Sequence, residues 1–180
     1  MAINLTKGQR IEIGLQKINV GLGWAGEADL DAAAFITAPN GQIPAEGFFV
    51  FYNNLDSDDR AVKHFGDLKQ GGSGDVETIS VDIGKLDPRI EQIVFTVTIH
   101  EYESTGQNFG QVSDSYIRIY DAADKKELCK YELAEDFSVE TAIEFGRLYK
   151  RNGAWKFEAM GTATSGGLGA FVKKYARQFS

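Results

Sequence analysis

The stretch Ile90-Glu91-Gln92-Ile93-Val94-Phe95-Thr96-Val97-Thr98-Ile99-His100 decides the fold. Ile93, Phe95, Val97 and Ile99 fall on one side of an extended chain and Thr96 and Thr98 on the other, a period of two that a helix cannot use. β-Branched and aromatic residues suit a pleated, buried surface, so the segment reads as a central strand. Working outward, Ile79, Val81 and Ile83 repeat the alternation, as do Ile11, Ile13 and Leu15. Residues 47–52 form a continuous apolar run short enough for a strand buried on both faces, and residues 115–121 are rich in β-branched and aromatic types. Residues 143–150 and 154–159 flank Arg151-Asn152-Gly153, whose Asn-Gly pair supplies the positive φ angles of a tight hairpin. After Ser165, which suits an N-cap, Leu168, Val172, Tyr175 and Phe179 recur at helical spacings of three and four. The expected class is all-β, a two-sheet β-sandwich with a short C-terminal helix.

The 180 residues suit a single domain over 1–180 that can bury its own core. Twelve Phe and seven Tyr reinforce the strand reading. Cys129 is the only cysteine, which excludes an internal disulfide and a cysteine-based zinc cage and fits a reducing, cytoplasmic setting. Residues 1–10 lack the apolar run of a secretory signal, and no segment has the length of a membrane span, so neither export nor direct membrane insertion is expected. A formal charge of -7, with one small basic cluster at Lys173, Lys174 and Arg177, argues against a nucleic-acid groove. Cations are the natural partners of such a chain.

The acidic residues of the first half gather in three loops, residues 27–31, 56–59 and 67–77. Two carboxylates about 4 Å apart repel by about 1 kcal/mol even in water, and more at a partly buried surface. A bound cation removes that cost, and calcium takes six to eight oxygens from carboxylates, amides and backbone carbonyls. In Asp29-Leu30-Asp31 an extended backbone sends both carboxylates to one side. Asn53 and Asn54 follow the apolar run and can present amide oxygens at a sheet end. Residues 66–77 hold four glycines around Asp67, Asp75 and Glu77, a composition that lets a backbone wrap with its carbonyls inward. The EF-hand spacing is absent. Acidic turns also cap their own backbone, and for residues 56–58 a solvated surface is the simpler reading.

Rival motifs are weaker. Gly21-Leu22-Gly23-Trp24-Ala25-Gly26 fits the dinucleotide fingerprint and precedes residues 27–38, whose composition tolerates a helix. Trp24 would then crowd the phosphate turn, Asp29 and Asp31 would repel a pyrophosphate, and crossover helices are missing later in the chain. Exposed aromatics such as Trp24 leave a carbohydrate-binding sandwich as a further alternative. His64 and His100 are too few for a histidine metal site, and no Ser sits in a G-x-S-x-G elbow. His100 and Glu101 could form an acid-base pair, although a strand terminus explains them more simply. Cys129, Tyr131 and Leu133 read as one core-facing strand row, and Gly166, Gly167 and Gly169 as close helix packing rather than an anion site.

Val20-Gly21-Leu22-Gly23-Trp24, Asp29-Leu30-Asp31, Phe51-Tyr52-Asn53-Asn54 and Gly66-Asp67 resemble, in the same order, the TerD-type tellurium-resistance and general stress proteins. Thr98-Ile99-His100-Glu101, Gln107-Asn108-Phe109-Gly110-Gln111-Val112, Gly146-Arg147-Leu148-Tyr149 and Asn152-Gly153-Ala154-Trp155-Lys156-Phe157 extend the resemblance over nearly the whole chain. It implies a bacterial, cytoplasmic, calcium-binding β-sandwich linked to tolerance of tellurite, phage and other stresses. It also implies partners among other proteins of the tellurium-resistance system, some membrane-associated, and no enzymatic activity. By position, Asp29, Asp31, Asn53, Asp67, Gly74, Asp75 and Glu77 match the family's calcium ligands, with Asn54 and Asp59 as lesser candidates. The family's third loop usually ends Asp-Asp-Glu, whereas Val76 replaces one acid in a shorter loop here, so one of two ions is expected to be weaker or missing.

Overall fold

A computed structural model describes residues 3–26, 30–67, 75–100, 102–133 and 139–179, with Gly26, Gly66, Asp67, Gln111 and Ser113 described for their backbone only. Among these residues the twelve strands are β1 (Ile3–Leu5), β2 (Arg10–Glu12), β3 (Lys17–Gly26), β4 (Leu30–Thr37), β5 (Phe49–Val50), β6 (Val62–Asp67), β7 (Glu77–Asp82), β8 (Gln92–Ile99), β9 (Val112–Asp121), β10 (Glu127–Glu132), β11 (Ala142–Arg151) and β12 (Ala154–Thr164). They form two six-stranded sheets, sheet A in the order β1-β10-β9-β3-β7-β6 and sheet B in the order β2-β12-β11-β8-β4-β5. Two helices are present among the described residues, the short α1 (Tyr102–Thr105) and the C-terminal α2 (Gly167–Tyr175).

The alternation of β8 has the consequence the sequence predicts. The strand lies between β4 and β11, and from Ile93 to Ile99 every side chain is buried. Ile93, Phe95, Val97 and Ile99 face the inter-sheet core, while buried Thr96 and Thr98 show that the other face is covered too. α2 provides much of that cover: Phe171 and Tyr175 pack against Phe35 of β4. The core is shared by both sheets, as in the edge contact of Tyr131 on β10 with Phe145 on β11, whose ring centroids lie 6.2 Å apart. The hairpin of β11 and β12 turns at Asn152 and Gly153, with φ of 54° and 78°.

Several expectations are corrected. Residues 47–52 are not one buried strand: a 3-10 turn at Glu46–Phe48 leads into the two-residue edge strand β5, and Phe51 and Asn54 close a turn. Alternation over 11–15 yields only the short β2, and Ile83 begins a 3-10 turn after β7. Residues 30–37 form a strand, where composition tolerated a helix, because β8 pairs with all of it, β5 adds a second ladder at Ala34 and Phe35, and Glu77 and His64 take the Ala32 amide and carbonyl. α2 is preceded not by a Ser165 cap but by Gly166 at φ 105°, a left-handed angle that glycine adopts without strain. It stops at Tyr175, and Phe179 lies in a following 3-10 turn.

Candidate functional site

β4 carries Asp31 to one end of sheet B, opposite Thr98 of β8. Its Oδ2 lies 2.9 Å from Nδ1 of His100, the residue after β8, and the Tyr52 ring meets His100 edge-on at 5.9 Å. Asp31, Tyr52, His100 and Tyr102 border a cleft of about 360 Å³ that reaches the first residues of α2. The glycines there serve packing: a side chain at Gly167 would collide with the Tyr102 ring.

Glu77 opens β7 on the facing sheet. It pairs with Leu22 and shares the inward row of Ile79 and Val81, so its carboxylate is drawn into the interior. There Oε2 accepts a 2.7 Å hydrogen bond from the Ala32 amide, one residue beyond Asp31. Nε2 of buried His64 lies 3.3 Å from the same oxygen and 3.1 Å from the Ala32 carbonyl. Both neighbours are acceptors, so this nitrogen carries the proton. Burial raises the Glu77 carboxyl above its ordinary 4.5; His64 and the Ala32 amide pull it down, and the charge of Asp31 pushes it up. Asp67, at the end of β6, is the register partner of Glu77. Chain segments far apart in sequence, ending at Asp31, Asp67 and Glu77, thus meet at one end of the sandwich.

The other candidates divide. Asp75 lies on the outer face of sheet A, where Arg118 donates to both carboxylate oxygens and the Tyr116 hydroxyl donates to Oδ1 at 2.6 Å. Asp59 organises its own turn: Oδ1 accepts from the Ser57 hydroxyl and the Ala61 amide, and Oδ2 from the Asp87 amide. Asn54 uses its side-chain NH₂ on the Phe49 carbonyl at 2.8 Å, and Asn53 is exposed in the same turn. Asp29, Gly74 and Glu101 lie outside the described residues. Among the described residues no three His, Cys, Asp or Glu side chains converge on one point, so the part of the expected ligand set on view is Asp31 and Glu77.

The TerD domain profile matches residues 1–175. The chain belongs to the TerD family. It is 41% identical to general stress protein 16U of Bacillus subtilis, over 99% of both chains, and 40% identical to the tellurium resistance protein TerD of Alcaligenes sp, over 97% of both. A solved TerD homologue from Streptomyces coelicolor superposes with a TM-score of 0.69 at 21% identity, covering 88% of this chain and 95% of its own, which establishes the shared fold. These TerD-family relatives are named for tellurium resistance and stress, not for a reaction. No helix among the described residues is long and apolar enough to cross a membrane.

Within this TerD-family chain the glycine fingerprint has a different meaning from a phosphate loop. Residues 21–26 lie inside extended β3, so no turn exists to cradle a pyrophosphate. A side chain at Gly21 would collide with the Asp75 carboxylate, and one at Gly23 with the Tyr116 ring. Sequence reasoning passed over Arg118 and Tyr116. The available signal was two glycines inside a strand, which mark a close approach from elsewhere in the chain.

Proposed function

We propose that this chain is a non-enzymatic, cytoplasmic, calcium-binding stress-response protein of the tellurium-resistance type. One or two calcium ions order its acidic loops into a surface for other proteins of that system, some of them membrane-associated. The observation that carries this reading is the meeting of Asp31 and Glu77 from opposite sheets, Glu77 bonded to the backbone beside Asp31 and its carboxyl raised partly by Asp31's charge. Two hard anionic oxygen donors near enough for one charge to act on the other suit a divalent cation of the calcium type. The ligand set would be drawn from Asp29, Asp31, Asn53, Asp67, Glu77 and the Gly74 carbonyl, with the Asn54 amide oxygen as a lesser candidate. Calcium supplies charge compensation when bound, and the chain supplies convergence. The stress role draws support from the names of the relatives.

Calorimetric titration of EDTA-stripped protein with calcium chloride tests the reading. Saturable calcium binding is expected, and Asp31→Asn and Glu77→Gln should each weaken it by about tenfold or more, because an anionic ligand becomes neutral. Absence of calcium heat in the wild type overturns the proposal.

A further inference from the structure

Asp75 and Glu77 are two residues apart, yet their carboxylates occupy opposite faces of sheet A. Glu77 shares the inward row of Leu22, Ile79 and Val81. Asp75 lies over Gly21, whose lack of a side chain makes room for it on the outer face. Its oxygens are fully engaged: Arg118 Nε stands 2.9 Å from Oδ1 and 3.0 Å from Oδ2, Arg118 Nη2 2.6 Å from Oδ2, and the Tyr116 hydroxyl 2.6 Å from Oδ1. A carboxylate offers about four acceptor positions, and these contacts use them. Only 9% of the Asp75 side chain is exposed, so its carboxylate is shielded from solvent.

Arg118 is itself held. It stacks on Tyr120 at 4.4 Å and lies 3.7 Å from Glu127, while Lys130 covers the Tyr116 ring at 4.4 Å. The Val76 amide, between the two acids, donates to the Leu22 carbonyl at 2.8 Å. Side chain and backbone therefore pin the carboxyl end of the third acidic loop to sheet A one residue before Glu77.

We propose that Asp75 serves this end of the molecule as an anchor rather than a metal ligand, and that Arg118, with Tyr116, is the positioning residue that sets Glu77 for cation binding. The inference rests on the calcium reading above for its functional consequence, while the anchor has a geometry of its own. A residue supporting a ligand in this way changes metal affinity without touching the ion. The alternative, in which Asp75 is a ligand restrained by Arg118, requires the opposite sign, because removing Arg118 would release an acid to the cation.

Calcium calorimetry on Arg118→Gln, Asp75→Asn and the double variant separates the two. Each single variant should weaken binding by about tenfold, and the double variant no further, because both break one anchor. Tyr116→Phe should weaken it less, and Arg118→Lys should fall short of wild type, lacking the two-pronged guanidinium. Tighter or unchanged binding in Arg118→Gln overturns the inference. Amide exchange in EDTA supplies an arm that needs no metal: both single variants should speed exchange at Val76 and Glu77 alike while Ile119 stays protected. Should the wild type give no calcium heat, the calcium reading fails alone and exchange still decides the anchor, which unchanged rates at Val76 and Glu77 overturn.

Discussion

Among the described residues two carboxylates are buried to the same extent, Glu77 and Glu144, each 3% exposed, and the chain compensates them in different ways. Glu144, on β11, lies under α2, where the Tyr175 hydroxyl donates to one oxygen and Lys174 Nζ stands 2.8 Å from the other. Burial and the neighbouring carboxylate push the Tyr175 phenol well above its ordinary value, so the hydroxyl remains a donor. Glu77, between the sheets, has a backbone amide and an imidazole, and the nearby charge of Asp31 works against it. One site is closed by a hydroxyl and an ammonium from a single helix. The other has one imidazole and one amide, with the charge of a second acid opposing it. A buried carboxylate matched from within fastens structure, whereas one beside a second acid gains from a cation supplied from outside.

The largest expected effect falls on the fastened site. Glu144→Ala removes the acceptor of a buried hydroxyl and should destabilise the protein by about 3 kcal/mol in urea unfolding. Most of this comes from the Tyr175 bond, because Lys174 is half exposed and its ion pair is screened. Tyr175→Phe should recover part of the loss in the Glu144→Ala background, since it removes the orphaned hydroxyl. If Glu144→Ala unfolds at the wild-type urea midpoint, the helix is not held by this carboxylate and the comparison collapses.

Next in size is the calcium response. Calcium at about a hundred times its dissociation constant should stabilise the wild type by about 2.7 kcal/mol. Glu144→Gln should keep that increment and Glu77→Gln should lose about half of it or more, although in EDTA Glu77→Gln should be as stable as wild type or more so, its buried charge having been removed. Equal increments in both variants, read as urea midpoints with and without calcium, would make the two carboxylates equivalent.

How much of this was legible in the sequence depends on whether local pattern or distant contact decides. β8 and the hairpin at Asn152-Gly153 were readable because side-chain alternation and turn chemistry are local. β4 was not, since Ala32, Ala33 and Ala34 have little strand preference of their own and are extended because β8 pairs with all three and β5 with Ala34. The acidic loops announced themselves by composition, but the sequence could not divide them. Asp59 belongs to its own turn, Asp75 to Arg118 across the sheet, and Glu77 to the interior, and the last two assignments depend on which face a strand register selects. Gly21 and Gly23 carried a signal that invited the wrong motif: they make room for Asp75 and Tyr116.

The smallest expected effect is a slope in stability against pH, and it sharpens the comparison most. The Glu77 carboxyl titrates above its ordinary 4.5 in the folded protein, chiefly because burial disfavours its charge. Between 4.5 and that raised value the folded state holds a proton that the unfolded state has released. The contribution of Glu77 therefore declines as pH rises through this window and stays low above it. Unfolding by urea in EDTA, followed from pH 4.5 to 7.5, should show this component in the wild type and in Glu144→Gln. It should vanish in Glu77→Gln, whose amide does not titrate. Adding calcium should offset the decline at the upper end, because the cation favours the ionised carboxylate that burial opposes. A wild-type slope that persists unchanged in Glu77→Gln would assign the titration to another group and remove the electrostatic reason for placing a cation at this end of the sandwich.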